Sequence, residues 1–207
     1  MIKGGKVKEI LKQINAVMDE NKLYLSELDA AIGDGDHGLN MNKGFNAVVE
    51  KIETLKDEDI SMIVKASGMA LVSNVGGASG PLYGTAFMKA SMEIAKKEEI
   101  NEEDFIKMLR AALEGIKMRG KGVAGEKTMI DTLEPAVVAG EKALEEGIKG
   151  KELLEKVRDA AEKGMTGTKE IAATKGRASY VGERSIGHQD AGATSMFLIL
   201  DTIYKAI

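Results

Sequence analysis

An all-α fold is what this sequence predicts, and three observations carry it. Apolar residues recur with a helical period along most of the chain. No segment sustains the apolar–polar alternation of a strand, and aromatic residues, which strands favour, make up only 4% of the composition. The 207 residues are 43% hydrophobic and 30% charged, which suits one domain, 1–207. A chain of that size buries roughly 70% of the surface its unfolded form would expose.

In chain order, the first apolar stripe runs over 7–22, where Val7, Ile10, Leu11, Ile14, Val17 and Met18 lie along one side of a helix. Similar stripes cover 44–55, 60–72, 87–97, 105–118, 135–144 and 153–165, and a last one covers 194–207. Glycine-rich segments separate them: IGDGDHG, NVGGASGPLYG, RGKGVAGEKT and GRASYVGERSIGHQDAGA. The stretch from 164 to 192 is the longest connection. One of that length in a compact domain is a lid or binding loop, or is disordered. The expected architecture is a helical bundle whose loops hold nearly all the unusual chemistry.

The totals exclude several function classes. A net charge of -4 argues against broad binding to nucleic acid or to an anionic membrane. No stretch approaches the ~18 consecutive apolar residues of a membrane-spanning helix. The N-terminus passes straight into an amphipathic helix, unlike a signal peptide, so a cytoplasmic location is expected. With no cysteine, there is no disulfide, thiolate metal site or cysteine nucleophile.

The chemistry concentrates in AIGDGDHGLNMNKG, which follows Asp29. Its Gly33-x-Gly35-x-x-Gly38 has the spacing of a dinucleotide fingerprint, but Asp34 and Asp36 would repel a pyrophosphate and no strand precedes it. A calcium EF-hand fails for want of the third carboxylate spacing and a closing bidentate Glu. A P-loop at 120–128 fails because Glu126 stands where phosphate would sit. His37 and His188, the only histidines, do not form a zinc-binding pair.

A hard-metal site survives these tests. Asp29 and Asp34 are separated by about 140° on an ideal helix, so one regular helix would not bring them together. Gly33 and Gly35 can turn the chain and gather Asp29, Asp34 and Asp36. Converging carboxylates need a cation, and magnesium suits oxygen ligands that face nucleotide phosphates.

Three other loops look like anion-binding helix starts. Ser79 can cap a helix with Pro81 in its first turn, Thr128 and Asp131 have capping-box spacing, and Asp190 and Gly192 can begin the last helix. Arg177 and Arg184 in the long connection can answer phosphate charge.

Together, LDAAIGDGDHGLNM, GGASGPLYGTAF, GEKTMIDTLEPA and GRASYVGERSIGHQDAGATS resemble, in order and spacing, the ADP-binding L subunit of dihydroxyacetone kinase, over essentially the whole chain. A chain of this one module resembles the stand-alone subunit of the phosphoenolpyruvate-dependent type more than the fused ATP-dependent kinase. The resemblance implies an eight-helix antiparallel barrel with its nucleotide site in the loops at one end. It implies that Asp29, Asp34 and Asp36 ligate two magnesium ions and serve catalysis together with Arg177. ADP or ATP would be contacted by His37, Gly38, Leu39, Asn40, Ala78, Ser79, Gly120, Thr128, Met129 and Arg177, with Asp190, Ala191 and Gly192 closing over it.

The partners implied are a dihydroxyacetone-binding K subunit and a phosphohistidine-carrying phosphotransferase subunit of M type; L subunits of the family can also engage a transcriptional regulator. A related module using free ATP on another partner-held substrate, such as a fatty acid, and an ADP-sensing regulatory protein are the alternative readings. One position departs from the family pattern: HQDPGA is usual, and Ala191 stands in place of the proline. Its loss is expected to loosen the turn over the nucleotide.

Overall fold

The computed structural model describes residues 1–56 and 59–207. Eight α-helices account for most of the described chain: α1 (Gly4–Ile32), α2 (His37–Glu53), α3 (Ile60–Asn74), α4 (Ser79–Glu93), α5 (Glu102–Gly120), α6 (Met129–Glu145), α7 (Gly150–Gly167) and α8 (Ala191–Ala206). Each coincides with one of the expected stripes, although those at 44–55, 87–97 and 194–207 run past the helix ends at Glu53, Glu93 and Ala206. The first is longer than its stripe suggested, because the buried positions Met18, Leu25 and Ile32 continue the apolar line past a polar stretch. Strands, not expected from the sequence, occur as one minimal antiparallel pair, β1 (Ile2–Lys3) with β2 (Glu99–Ile100), too short to show as alternation.

Every helix packs on the next in sequence, and α8 returns to α1, so the eight helices close a ring. Short connections make neighbours antiparallel from α1 to α7, and the longer 168–190 segment leads into α8. The main core runs through that ring and draws on all eight helices, with Met18, Phe45, Tyr83, Leu113, Val137, Leu153 and Ile199 among its members. Phe45 and Phe87 meet edge to face, ring centroids 6.3 Å apart.

This alternation positions the site. The even-numbered helices begin at the end where the odd-numbered ones finish, so the starts of α2, α4, α6 and α8 share one end of the ring. Toward the other end lies a cavity of about 220 Å³ lined by aliphatic and aromatic carbon from Ile10, Ile14, Phe87, Leu133 and Ile199. Its walls lack the cluster of polar groups that would hold a sugar.

Phe45 is fully buried, with Phe87 of α4 against its ring, so truncating it leaves a void. Phe45→Ala is expected to lower unfolding stability by about 3–5 kcal/mol, measured by urea denaturation.

Candidate functional site

The site starts at the turn between α1 and α2. Asp29 lies in the last turns of α1, Gly33 ends that helix, and Gly35 takes a φ of +78°, which reverses the chain toward Asp36 at the N-cap of α2. One carboxylate oxygen of Asp29 accepts from the amides of Asp36 at 3.0 Å and His37 at 3.2 Å. Asp29, Asp34 and Asp36 each direct one carboxylate oxygen so that all lie within 4.8 Å of one another. The convergence expected from the glycine spacing is present. Gly33 is needed there: a Cβ on it would fall 2.3 Å from Asp29 Oδ1 and displace the carboxylate.

Three like charges this close repel unless a cation joins them, and an all-oxygen donor set suits a hard divalent ion. The chain supplies part of the countercharge itself. Arg177, reaching in from the 168–190 connection, places Nε 2.8 Å from Asp34 Oδ2. Arg184 is exposed two turns further along and does not join this cluster.

The four helix starts around the acids are not equivalent. Those of α6 and α8 are closed by their own side chains: Thr128 and Asp131 form a full capping box, and Asp190 accepts from the amide of Ala193 at 2.7 Å. Those of α2 and α4 carry no side-chain cap. Ser79, expected to cap α4, is instead its first residue, behind Ala78. Its hydroxyl is 3.2 Å from Nδ1 of His37. At the α2 start the His37 amide goes to Asp29 and the Asn40 amide to the Asp36 carbonyl, which leaves the Gly38 and Leu39 amides, and those opening α4, at the positive ends of their helix dipoles. Gly38, Leu39 and Asn40 form the α2 start; Gly38 is buried so tightly against α1 that a Cβ would meet the Lys22 carbonyl at 1.9 Å.

His37 links these starts. Its buried ring places Nε2 2.8 Å from Ser195 Oγ, and Ser195 Oγ is 2.7 Å from Tyr83 OH, which donates to the Gly192 carbonyl. Burial pushes the His37 pKa down, against the opposing pull of Asp29 and Asp36. With both ring nitrogens engaged, the imidazole is a strut between α2, α4 and α8. Its backbone, not its ring, faces the acids. Gly120 ends α5 at the same end, Met129 is buried behind Thr128, and Ala191 and Gly192 form the first turn of α8.

The long connection is ordered into three short 3-10 turns, Thr168–Glu170, Arg177–Tyr180 and Gly182–Ser185. Ser185 Oγ accepts from the Ala173 amide at 2.8 Å, and Gly187 N–H donates to the Lys169 carbonyl at 2.7 Å. Tyr83, Ser195 and Lys127 escaped the sequence reading. Tyr83 and Ser195 act through contacts more than a hundred positions apart in the chain. Lys127 lay within a motif rejected as a P-loop.

The chain belongs to the DAK2 domain family, whose sequence model matches residues 31–205. Relatives matched over most of both chains are named subunits of dihydroxyacetone kinases, enzymes of phosphoryl transfer. It is 45% identical, over 88% of its length and 87% of the relative's, to the ADP-binding subunit DhaL of the PEP-dependent dihydroxyacetone kinase of Escherichia coli (strain K12). It is 48% identical to the corresponding subunit of dihydroxyacetone kinase 1 of Listeria innocua, covering 91% of this chain and 89% of that one. A PTS-dependent counterpart from Lactococcus lactis is 42% identical, over 96% and 95% of the two chains. The same fold occurs in the crystal structure of the dihydroxyacetone kinase of C. freundii, with a TM-score of 0.75 at 22% identity. The match covers 97% of this chain but spans only 34% of that longer kinase, which has also been crystallised in complex with AMP-PNP and Mg2+.

Asp190 gives a pH test of the site's burial. Desolvation pushes its carboxyl up to about 6, against the lowering effects of the Ala193 amide and Lys127. A carboxyl whose pKa is higher folded than unfolded favours the folded state below the unfolded value and loses that contribution as pH rises to about 6. Asp190→Asn keeps a capping oxygen and removes the titration. Relative to this variant, the unmodified chain is expected to lose stability between pH 4 and 7, read from urea midpoints in EDTA across ~3 pH units. A constant difference across that range would contradict it.

Proposed function

We propose that this chain is the nucleotide-binding subunit of a phosphoenolpyruvate-dependent dihydroxyacetone kinase, a single nucleotide-binding unit over 1–207 working in the cytoplasm. The observation that supports it most is the gathering of Asp29, Asp34 and Asp36 beside two uncapped helix starts, with Arg177 against Asp34. Relatives covering most of this chain are named ADP-binding subunits, and the related kinase of C. freundii binds AMP-PNP with magnesium.

On this reading Asp29, Asp34 and Asp36 would hold two magnesium ions, whose charge reverses the local sign so that phosphates can approach. The remaining work falls to the chain. Within the α2 start from His37 to Asn40, the His37 amide stays with Asp29 and the Asn40 amide with the Asp36 carbonyl, so the N–H groups of Gly38 and Leu39, with those of the α4 start beside Ala78 and Ser79, would donate to phosphate oxygens. Gly120, Thr128 and Met129, with the Asp190–Gly192 turn, would bound the rest of the nucleotide. Thr128 spends its hydroxyl on the Ile130 amide, so it would act by shape and backbone.

Arg177 would leave part of its pairing with Asp34 to neutralise charge on the transferred group. Phosphoryl transfer depends on such positioning and charge neutralisation more than on a protein nucleophile. The phosphoryl group would pass from a phosphohistidine on an M-type partner to ADP, its P–N bond breaking as an O–P bond forms. It would then pass to dihydroxyacetone held on a K-type subunit.

The test is reconstituted turnover of dihydroxyacetone with K-type and M-type partners, comparing a phosphoenolpyruvate relay with ATP alone. Turnover is expected with the relay. Arg177→Ala is expected to keep bound nucleotide and lower turnover by at least roughly tenfold, about 1.4 kcal/mol of barrier. Unchanged turnover with nucleotide bound would remove Arg177 from the mechanism, and turnover with free ATP alone would replace the relay.

The proline missing at Ala191 bears on nucleotide retention. Ala191 is the first residue of α8, a position that suits proline because its N–H has no helical partner. The turn before it is held in other ways: Thr168 Oγ1 accepts from the Asp190 amide at 3.1 Å, and Asp190 caps the helix. Ala191→Pro is expected to raise unfolding stability by about 0.4–1 kcal/mol and to slow ADP release in a competition experiment. An unchanged release rate would show that Ala191 does not loosen the turn.

A further inference from the structure

Lys127 stands in the GEKT segment that fails as a P-loop, and the proposed chemistry leaves it without a role. Its side chain is only 1% exposed, and its backbone takes a φ of +64°. Lysines are almost never this buried unless their charge is met. Here it is met by peptide groups. The ammonium donates to the carbonyls of Thr168, Ile171 and His188, which engages all three of its N–H donors. None is left for a phosphate, unlike the lysine of a P-loop. Asp190 and Asp131 support the charge from a distance, while desolvation pushes the Lys127 pKa down.

The placement of those three carbonyls matters more than their number. Thr168 and Ile171 lie on the leg of the long connection that leaves α7; His188 lies on the leg that returns to α8. Arg177 lies between the legs, paired with Asp34. A further tie runs from the Thr174 amide to the Glu126 carbonyl beside Lys127, at 3.4 Å. One side chain at the start of α6 therefore pins both legs of the segment that carries the site's arginine.

We infer that Lys127 is a positioning residue: its buried ammonium closes the base of the 168–190 connection and thereby holds Arg177 over the acidic cluster. Its effect on the reaction is exerted through Arg177, not through contact with the nucleotide. The activity arm of this inference rests on the proposed nucleotide function; the conformational arm does not.

The experiment uses the full chain carrying Lys127→Met, which keeps an unbranched side chain one atom shorter and removes its donors. Hydrogen exchange without nucleotide or metal is expected to speed up at least roughly tenfold across 171–188, while amides in the middle of α1, α2 and α6 are unchanged. In reconstituted turnover, Lys127→Met is expected to cost roughly tenfold when Arg177 is present and nothing further in an Arg177→Ala background. Unaltered exchange in 171–188 would overturn the clamp. Losses that multiply in the double variant would overturn the route through Arg177, leaving a purely structural lysine. If Lys127→Met does not fold, Lys127→Gln is read in the same way, since it retains two N–H donors. Intermediate exchange, with a partial loss of turnover that disappears once Arg177 is replaced, supports the inference; exchange at the unmodified rate overturns it. Failure of the nucleotide function itself would abolish turnover in every background and leave the exchange result standing.

Discussion

A single carboxylate oxygen organises the functional end of this bundle. Asp29 closes the α1–α2 turn by accepting from the amides of Asp36 and His37, and those two bonds set where α2 begins. The same side chain contributes to the oxygen cluster with Asp34 and Asp36. The turn's geometry and the site's charge are therefore not separable. Removing the carboxylate would free two amides, move the α2 start, and break up the cluster at once.

The surrounding architecture makes a concentrated negative charge tolerable. Up-and-down connectivity brings the positive ends of α2, α4, α6 and α8 to the end that carries the acids. Two of those ends are capped by their own side chains, by Thr128 with Asp131 and by Asp190, and two lack such a cap, that of α2 being met in part by Asp29. The α2 start follows directly from the acidic turn, and the α4 start is tied to it through Ser79 and His37. Buried polar side chains then lock the parts together, His37 joining α2 to α4 and α8, and Lys127 joining α6 to the long connection. Such groups are costly to bury unless satisfied, so each fixes one arrangement of loops.

Much of this was legible in the residues, for a local reason. Helices announce themselves by period, and Gly33 and Gly35 sit close enough to Asp29, Asp34 and Asp36 for the turn to be read from spacing alone. Capping pairs three positions apart, such as Thr128 with Asp131, are equally local. What stayed hidden depends on contacts distant in sequence. Ser79 has the chemistry of a cap, yet its hydroxyl goes to a histidine 42 positions earlier, which no local rule foresees. Lys127 drew no reading from the sequence, and its part shows only where three carbonyls from 168–188 close around it. The order of the long connection likewise could not be read from its glycines, because what holds it comes from outside it. Among the described residues no helix is long and apolar enough to cross a membrane, in keeping with the reading of composition.

The account depends most on a metal joining the acidic turn to a nucleotide. Calorimetric titration of ADP into the metal-stripped chain, with and without added magnesium, tests that link directly. Binding is predicted to be weaker in EDTA by at least roughly a hundredfold, about 2.7 kcal/mol, and to be restored on adding magnesium. Equal affinity under both conditions would contradict it, because three unbridged carboxylates beside a diphosphate can only repel.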